Sequence, residues 1–385
     1  MERVPVISPE GSPLMPTKAS RARRWLREGK AKIYPNPLNQ FAVQIVDRPS
    51  GSLKQDIAVG IDPGKCFTGI AVQSAQFTLW TGHLVLPFKR VRERMETRAM
   101  MRRTRRSRWI DRKLPHGQRN QRQARFDNRR QSKVAPSIKA NRLLEERVLW
   151  ELCLLYPIER VIYEIVKANG SKSFSPLMVG QNWMLARIAG FDFNETRFGW
   201  ETSDARQKLG LAKDQTDKSR QTRETHANDA IALASFHFHA RKVRYSGRTK
   251  LVEQSSAIVT DSTFSVISRP PVSRRQLHLL QFSKGGKRRK YGGTITAHGF
   301  RKGDYVEAIK AGVTYRGWVS GDTKTKVSVS NADWKRIAQF SARKVRLLSR
   351  ATGLIVKRIG GFNPSTARFL SHLKDGSFHS LRSFR

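Results

Sequence analysis

The sequence predicts an α/β fold with a smaller module at each end, and three observations carry that expectation. From Asp56, three β-rich runs follow one another, IAVGIDPG, GIAV and FTLWTGHLVLP, separated by Gly and polar turns. Leu144, Val148, Leu152 and Leu155 then recur at helical spacing directly before another apolar run, VIYEIV. A late stretch containing YGGTITAHGF, GDYVEAI, YRGWVSG, KVSVS and LIVKR alternates Gly with β-formers, as a small twisted barrel does.

The elements follow in order. The first fifty residues hold PLMP at Pro13–Pro16, a basic helical stretch SRARRWLREGKAKI and a short strand FAVQIV, which together suggest a small separate module. The three runs after Asp56 suit consecutive antiparallel strands, and VIYEIV gives a fourth strand after an intervening helix. A helix from about 224 to 241, centred on HANDAIALASFHF, closes this part near Tyr245. The Ser- and Thr-rich residues 246–268 suggest a linker, ended by RPP. No repeat of 20 to 50 residues is visible.

Composition narrows the function. Of 385 residues, 74 are Lys or Arg and 30 are Asp or Glu, a formal charge of +44, and 38% hydrophobic residues suffice for packed cores. Self-repulsion on that scale calls for a polyanion as partner. Cys66 and Cys153 are the only cysteines and stand in no CxxC pair, which excludes a disulfide framework and argues against a Cys-based zinc site. The start MERVPVISPEG lacks the apolar core of a signal peptide, and no run approaches 18 apolar residues. A soluble protein of the reducing cytoplasm, associated with the nucleoid when on DNA, is expected, with no membrane partner.

Four side chains would carry chemistry: Asp62 in GIDPG, Glu164 in VIYEIV, and His226 with Asp229 in HANDA. Taken singly, each has a bland reading, since an Asp before Pro-Gly is commonly a turn residue, a strand Glu commonly faces solvent, and HxxD commonly sits on a helix surface. Taken together, in this order and on strand, strand and helix, they suit a metal-dependent nuclease of the ribonuclease H type. Two divalent metals that clamp the attacking water and the leaving oxygen of a phosphodiester need converging carboxylates. Asp62, Glu164 and Asp229 would hold Mg2+, with Mn2+ as an alternative, and His226 would position or deprotonate water. A charge at Glu164, on an apolar strand, is costly without a cation beside it. His226 and Asp229 are three apart, which places both on one face of a regular helix.

Between the first and second acids lies the most Arg-dense part of the chain. Residues 88–133 hold 18 Lys or Arg against 4 Asp or Glu. Arg94, Arg98, Arg102 and Arg105 fall on one helical face, Arg103 and Arg106 widen it, and Arg108 follows; no apolar stripe survives. Such a helix is either a solvated charge run or a rod set against nucleic acid. Arg predominates over Lys, and its planar fork suits phosphate contacts and base stacking. QRQARFDNRR adds Phe126 among Arg125, Arg129 and Arg130.

These motifs together, PLMP, GIDPGKCFTGIAV, RRTRRSRW with RFDNRR, VIYEIV, LGLAKD before HANDA, and the late KRRKYGGTITAHGFRKGD with RGWVSG, resemble the transposon-encoded IscB nucleases and their shorter IsrB relatives over nearly the whole chain. The resemblance implies a ribonuclease H-like RuvC domain split in sequence, an arginine-rich bridge helix, a PLMP module and a C-terminal β-barrel-like region. It divides the chain into a PLMP module (1–55), RuvC part I (56–88), bridge helix and basic extension (89–135), RuvC parts II (136–190) and III (191–245), a linker and guide-RNA-contacting region (246–300) and a β-rich region that reads a target-adjacent motif (301–385). Asp62, Glu164, His226 and Asp229 take the RuvC positions. Arg288, Arg289, Lys290, Tyr291, Arg301 and Lys302 become candidates for RNA-stem and motif contacts.

IscB carries an inserted HNH nuclease between its second and third RuvC motifs. Here 61 residues separate Glu164 from His226, and they include no histidine and no cysteine. An HNH centre needs a histidine as general base, so the resemblance narrows to IsrB. That implies nicking of the displaced, non-target DNA strand by a monomer bound to a long structured guide RNA (omega RNA), on double-stranded DNA bearing a target-adjacent motif. The segment DQTDKSRQTRET before HANDA departs from the pattern by lengthening a loop beside the site. Two other classes stay open: a guide-independent resolvase of branched DNA, and a nuclease-inactive RNA-binding protein.

Overall fold

A computed structural model describes residues 2–49, 51, 53–107, 111, 113–119, 134–167, 176–190, 194–242, 252–255, 257–271, 273–281 and 287–359. The chain opens with β1 (Arg3–Ile7), β2 (Pro13–Lys18), α1 (Ala19–Arg27), β3 (Ala31–Ile33) and β4 (Val43–Ile45). They form a four-stranded sheet of order β2-β1-β4-β3, and PLMP is the first two-thirds of β2. Val4, Val6, Ala22, Ala31 and Val43 make its core. It is less separate than the sequence suggests, because Ile7, Leu38 and Ala42 belong to the core of the central sheet.

That central sheet begins with β5 (Ile57–Pro63), β6 (Phe67–Ser74) and β7 (Thr78–Val85), an antiparallel meander as the three runs predict. α2 (Phe88–Ser107) and α3 (Pro136–Cys153) follow, then β8 (Arg160–Ile165), α4 (Pro176–Ile188), β9 (Asn194–Phe198), α5 (Gly199–Lys208) and, after a π-helical turn at Arg223–Ala227, α6 (Asn228–Ser235). β8 lies parallel to β5, and β9 parallel to β8. Helices cover both faces, which is why β5 is almost wholly buried and reads as a continuous apolar run. The two-residue period of the strand sorts its side chains. Ile57, Val59 and Ile61 face Leu144, Val148 and Leu152 of α3, while Ala58 joins Ile162 against Leu233 and Ala234 of α6. Burying each such Leu or Ile is worth about 1.5–3 kcal/mol.

Two strands reach this sheet from far along the chain. β10 (His239–Lys242) pairs with β11 (Val252–Ser255), and then β12 (Phe264–Ser268) lies parallel to β7, so the stretch expected as a linker supplies a strand of the central sheet. β13 (Ser273–Gln281) and β14 (Lys287–Gly293) form a two-stranded ribbon. β15 (Tyr305–Lys310), β16 (Val313–Asp322), β17 (Lys326–Ser330), β18 (Arg336–Ser341) and β19 (Val345–Ser349) form an antiparallel sheet of order β18-β17-β16-β15-β19, packed on Val306, Val319, Val327, Val329 and Phe340. No hydrogen-bonded pairing closes β18 onto β19 among the described residues, so these strands form an open five-stranded sheet where a barrel was expected. β20 (Ile355–Ile359) returns to pair with β12, giving the seven-stranded order β20-β12-β7-β6-β5-β8-β9. The expected helix over 224–241 is broken, with its regular part ending at Ser235. No described helix is long and apolar enough to cross a membrane.

Candidate active site

Register brings the first two acids side by side. Ile61 pairs with Tyr163 across the parallel β5–β8 ladder, so the next residues, Asp62 and Glu164, emerge together on the α6 face at the carboxyl ends of their strands. Pro63 and Gly64 end β5 in a turn that α3 holds from behind. Arg142 Nη2 donates to the Gly64 carbonyl at 2.8 Å, and Asn141 Nδ2 donates to the Lys65 carbonyl at 2.8 Å. Arg142 is itself buried and paired with buried Glu145 at 3.0 Å, and it donates to the Tyr163 hydroxyl at 2.7 Å. Thr68 Oγ1 donates to Glu145 at 2.5 Å. Burial pushes the Glu145 carboxyl up to about 7, against the pull of Arg142. Removing one member of such a network strands its partner's charge, so the turn is rigid for a stated reason.

α6 brings the third acid by close approach. An added Cβ at Gly60 would stand 2.0 Å from the Ala230 carbonyl, and one at Gly69 would stand 2.1 Å from the His226 carbonyl. Only glycine lets the helix sit this low on the sheet. Asp229, in the first turn of α6, is buried; Arg206 Nε lies 2.9 Å from its Oδ1 and Lys213 Nζ lies 2.6 Å from its Oδ2. The Arg206 contact is a charge contact without hydrogen-bond alignment, which leaves Oδ1 with no directed donor. Burial raises the Asp229 carboxyl, and Asp62 raises it further. Glu164 is pushed up to about 7 by burial first, then by Asp62, with Asp229 adding to the effect and a Thr202 hydrogen bond opposing it. The three carboxylates therefore sense one another in a poorly solvated space, where a dication would relieve the repulsion.

His226 arrives differently from the helical-face expectation. It lies in the π-helical turn before α6, where one extra residue per turn changes the direction of its side chain. Its Nδ1 is 3.0 Å from Asp62 Oδ2, and its Nε2 has no hydrogen-bond partner among the described residues. Sequence reasoning missed four neighbours: Thr202, Arg206, Lys213 and His83. Lys213 stands in the quoted LGLAKD, but nothing local marks Arg206 or Thr202 on α5. His83 looks like one more residue of an apolar strand; it is fully buried, its ring centroid is 5.5 Å from that of His226, and its Nδ1 is 3.3 Å from Thr225 Oγ1. Burial, and then His226, holds it down to about 4, so it is neutral at pH 7.

The cationic candidates are only partly covered. On α2, Phe88 is the sole buried side chain among those described; Arg94 and Arg98 are half-exposed, and Arg102 and Arg103 are exposed. Arg105 and Arg106 continue the helix. Arg108, Arg125, Arg129 and Arg130 lie outside the described residues. The root of α2 is tied down by Arg90, whose Nη1 donates to the Arg269 carbonyl at 3.2 Å. Arg288, Arg289, Lys290 and Tyr291 lie on β14, in register with Leu280, Leu279, His278 and Leu277 of β13. Arg301 is exposed and Lys302 half-exposed, just before the C-terminal sheet.

Residues 4–181, a little under half of the chain, match a family model described as RRXRR protein. No curated protein matches. Among solved structures, "T. thermophilus RuvC in complex with Holliday junction substrate" is similar at 13% identity and a TM-score of 0.27, over 47% of this chain and 90% of that one.

Proposed function

We propose that this chain is a metal-dependent DNA endonuclease of the IsrB kind, directed by a guide RNA, which nicks the non-target strand of double-stranded DNA. The observation that carries the proposal is the meeting of Asp62, Glu164 and Asp229 at one end of the sheet, with mutual charge effects that raise Glu164 and Asp229. The order of three antiparallel strands followed by two parallel ones, with acids on the first and fourth and a third on the covering helix, suits the ribonuclease H type. The RRXRR match supports it too, since residues 4–181 include Asp62, Glu164 and the whole arginine segment.

The donor types fit a divalent ion, and among the described residues Asp229 Oδ1 lacks an aligned donor; the ligand atoms of Asp62, Glu164 and Asp229 do not all lie within 4.8 Å of one another, so a bound ion would draw them inward. Asp62, Glu164 and Asp229 would hold Mg2+; when bound, it polarises phosphate oxygens and acidifies water. Lys213 is a third exposed and sits on an irregular segment, so it can withdraw into solvent while Arg206 stays on Asp229. With Nδ1–H directed at Asp62, the buried His226 Nε2 has no hydrogen-bond partner among the described residues and would accept a proton from a water once one reaches it. Arg94, Arg98, Arg102 and Arg103 on α2 would follow the phosphates of the guide.

RNA dependence tests the proposal. Protein expressed with its native locus should carry one RNA species, and DNA matching that RNA should be nicked only while the RNA is present. Cleavage of a four-way junction by RNA-free protein would overturn guidance and favour a resolvase.

A further inference from the structure

The three elements that meet at the candidate active site also meet at their other ends. Asp56 directly precedes β5, Glu159 directly precedes β8, and His237 lies in the 3-10 turn Phe236–Phe238 that continues α6. Glu159 N–H donates to the Ile57 carbonyl at 2.9 Å, which fixes the two strand starts side by side. One ligand atom from each of Asp56, Glu159 and His237 falls within 4.8 Å of the others, the one such group among the described residues. At about 3.3 Å per residue, the six residues from Asp56 to Asp62 place this cluster about 20 Å from the acids at the opposite end of the sheet.

Two carboxylates on a surface are not a site, but His237 changes their meaning. Its side chain is 9% exposed, and its Nε2 lies 3.3 Å from Asp56 Oδ2. That approach lacks hydrogen-bond alignment, and among the described residues Nε2 has no other partner. The ring is held edge-on by Phe238 at 4.9 Å between centroids. A buried imidazole nitrogen beside a carboxylate, with no aligned hydrogen bond between them, leaves room for a cation to take both as ligands.

We propose that Asp56, Glu159 and His237 form a second divalent-cation site, selective for zinc-class ions over magnesium, which staples the starts of β5 and β8 to the end of α6. One imidazole and two carboxylates suit Zn2+ or Co2+, whereas Mg2+ prefers oxygen alone. Bonds of about 2.0–2.2 Å in a tetrahedron set ligand atoms about 3.3–3.6 Å apart. The Asp56–His237 pair already has that spacing, and water completes the fourth position. Because the ligands come from three elements that only the folded state assembles, the ion binds the native chain and stabilises it by mass action.

The test uses the full-length protein, stripped with chelator, and reads metal binding and stability without any cleavage assay. With Mg2+ in excess to occupy the Asp62, Glu164 and Asp229 site, Co2+ should develop the visible absorption of a tetrahedral N,O site, and Zn2+ should raise the thermal midpoint, each saturating at one further ion per chain. Both responses should weaken by roughly a hundredfold or more in ion affinity with Asp56→Asn or His237→Gln, and both should persist in Glu164→Gln. Asp56 is 60% exposed, so its variant folds. A wild type without these responses, responses unchanged in Asp56→Asn, or responses lost in Glu164→Gln would each overturn the site.

Discussion

Glu164 holds its proton to a pH at which an exposed glutamate has long lost it, and this gives the candidate site a measurable signature. In the metal-free fold its carboxyl titrates near 7, against 4.5 in the unfolded chain. Between those values the native state binds the extra proton, so stability falls as pH rises through this window and levels off above it. Glu164→Gln removes that penalty. In chelator, the variant should lose less stability than wild type between about pH 4.5 and 7, by up to about 3 kcal/mol, as read by thermal midpoints across that range. The remaining slope combines Glu145, which titrates in the same window, with buried His83, whose lowered imidazole acts in the opposite sense; a variant with the wild-type slope would mean that Glu164 is not the buried acid described here. Asp62, Glu164, His226 and Asp229 could be picked out because each stands in a short motif whose residue types suit metal chemistry. Arg206, Lys213, Thr202 and His83 could not, since their roles come from contacts that α5, the irregular segment after it and β7 make around the site, which no local pattern records.

Elements differ in the same way. β5, β6 and β7 were readable from alternation and turns, and α3 from its apolar period, because each is specified by its own residues. β12 was not, since FSVIS follows a long Ser- and Thr-rich stretch and becomes a central strand only through pairing with β7, about 180 positions earlier. The break of the last helix was equally hidden, as a π-helical turn leaves no signature in composition. The fit of α6 on the sheet depends on Gly60 and Gly69. Gly60→Ala would drive a methyl into the Ala230 carbonyl and the Ala234 amide, and should cost about 3 kcal/mol or more in urea unfolding; a loss under about 1 kcal/mol would show that the helix rides higher than described. α2 can be tested by charge. Replacing Arg94, Arg98, Arg102 and Arg103 with Gln keeps helix propensity. For every arginine among them that neutralises a phosphate, the slope of log affinity for RNA against log salt should fall by about one. An unchanged slope would make α2 a solvated face and move the RNA elsewhere.

Taken across its full length, the chain answers a charge of +44 with a concentration of acid at two ends of one sheet. The carboxyl ends of β5 and β8, with the start of α6, gather the carboxylates proposed for phosphodiester hydrolysis, while the opposite ends gather Asp56, Glu159 and His237. Elsewhere the cationic surface of α2 and the C-terminal sheet is suited to hold a polyanion in place by many weak contacts. One cutting centre on such a body predicts one cut. The central claim is therefore tested most directly by incubating the guided complex with duplex DNA labelled separately on each strand, in Mg2+, beside Asp62→Asn. The wild type should nick the non-target strand alone. Asp62→Asn should bind the duplex as well as wild type but lose several kcal/mol of transition-state stabilisation, about a thousandfold in rate. Cleavage of both strands by the wild type, or nicking by Asp62→Asn at the wild-type rate, would contradict the assignment.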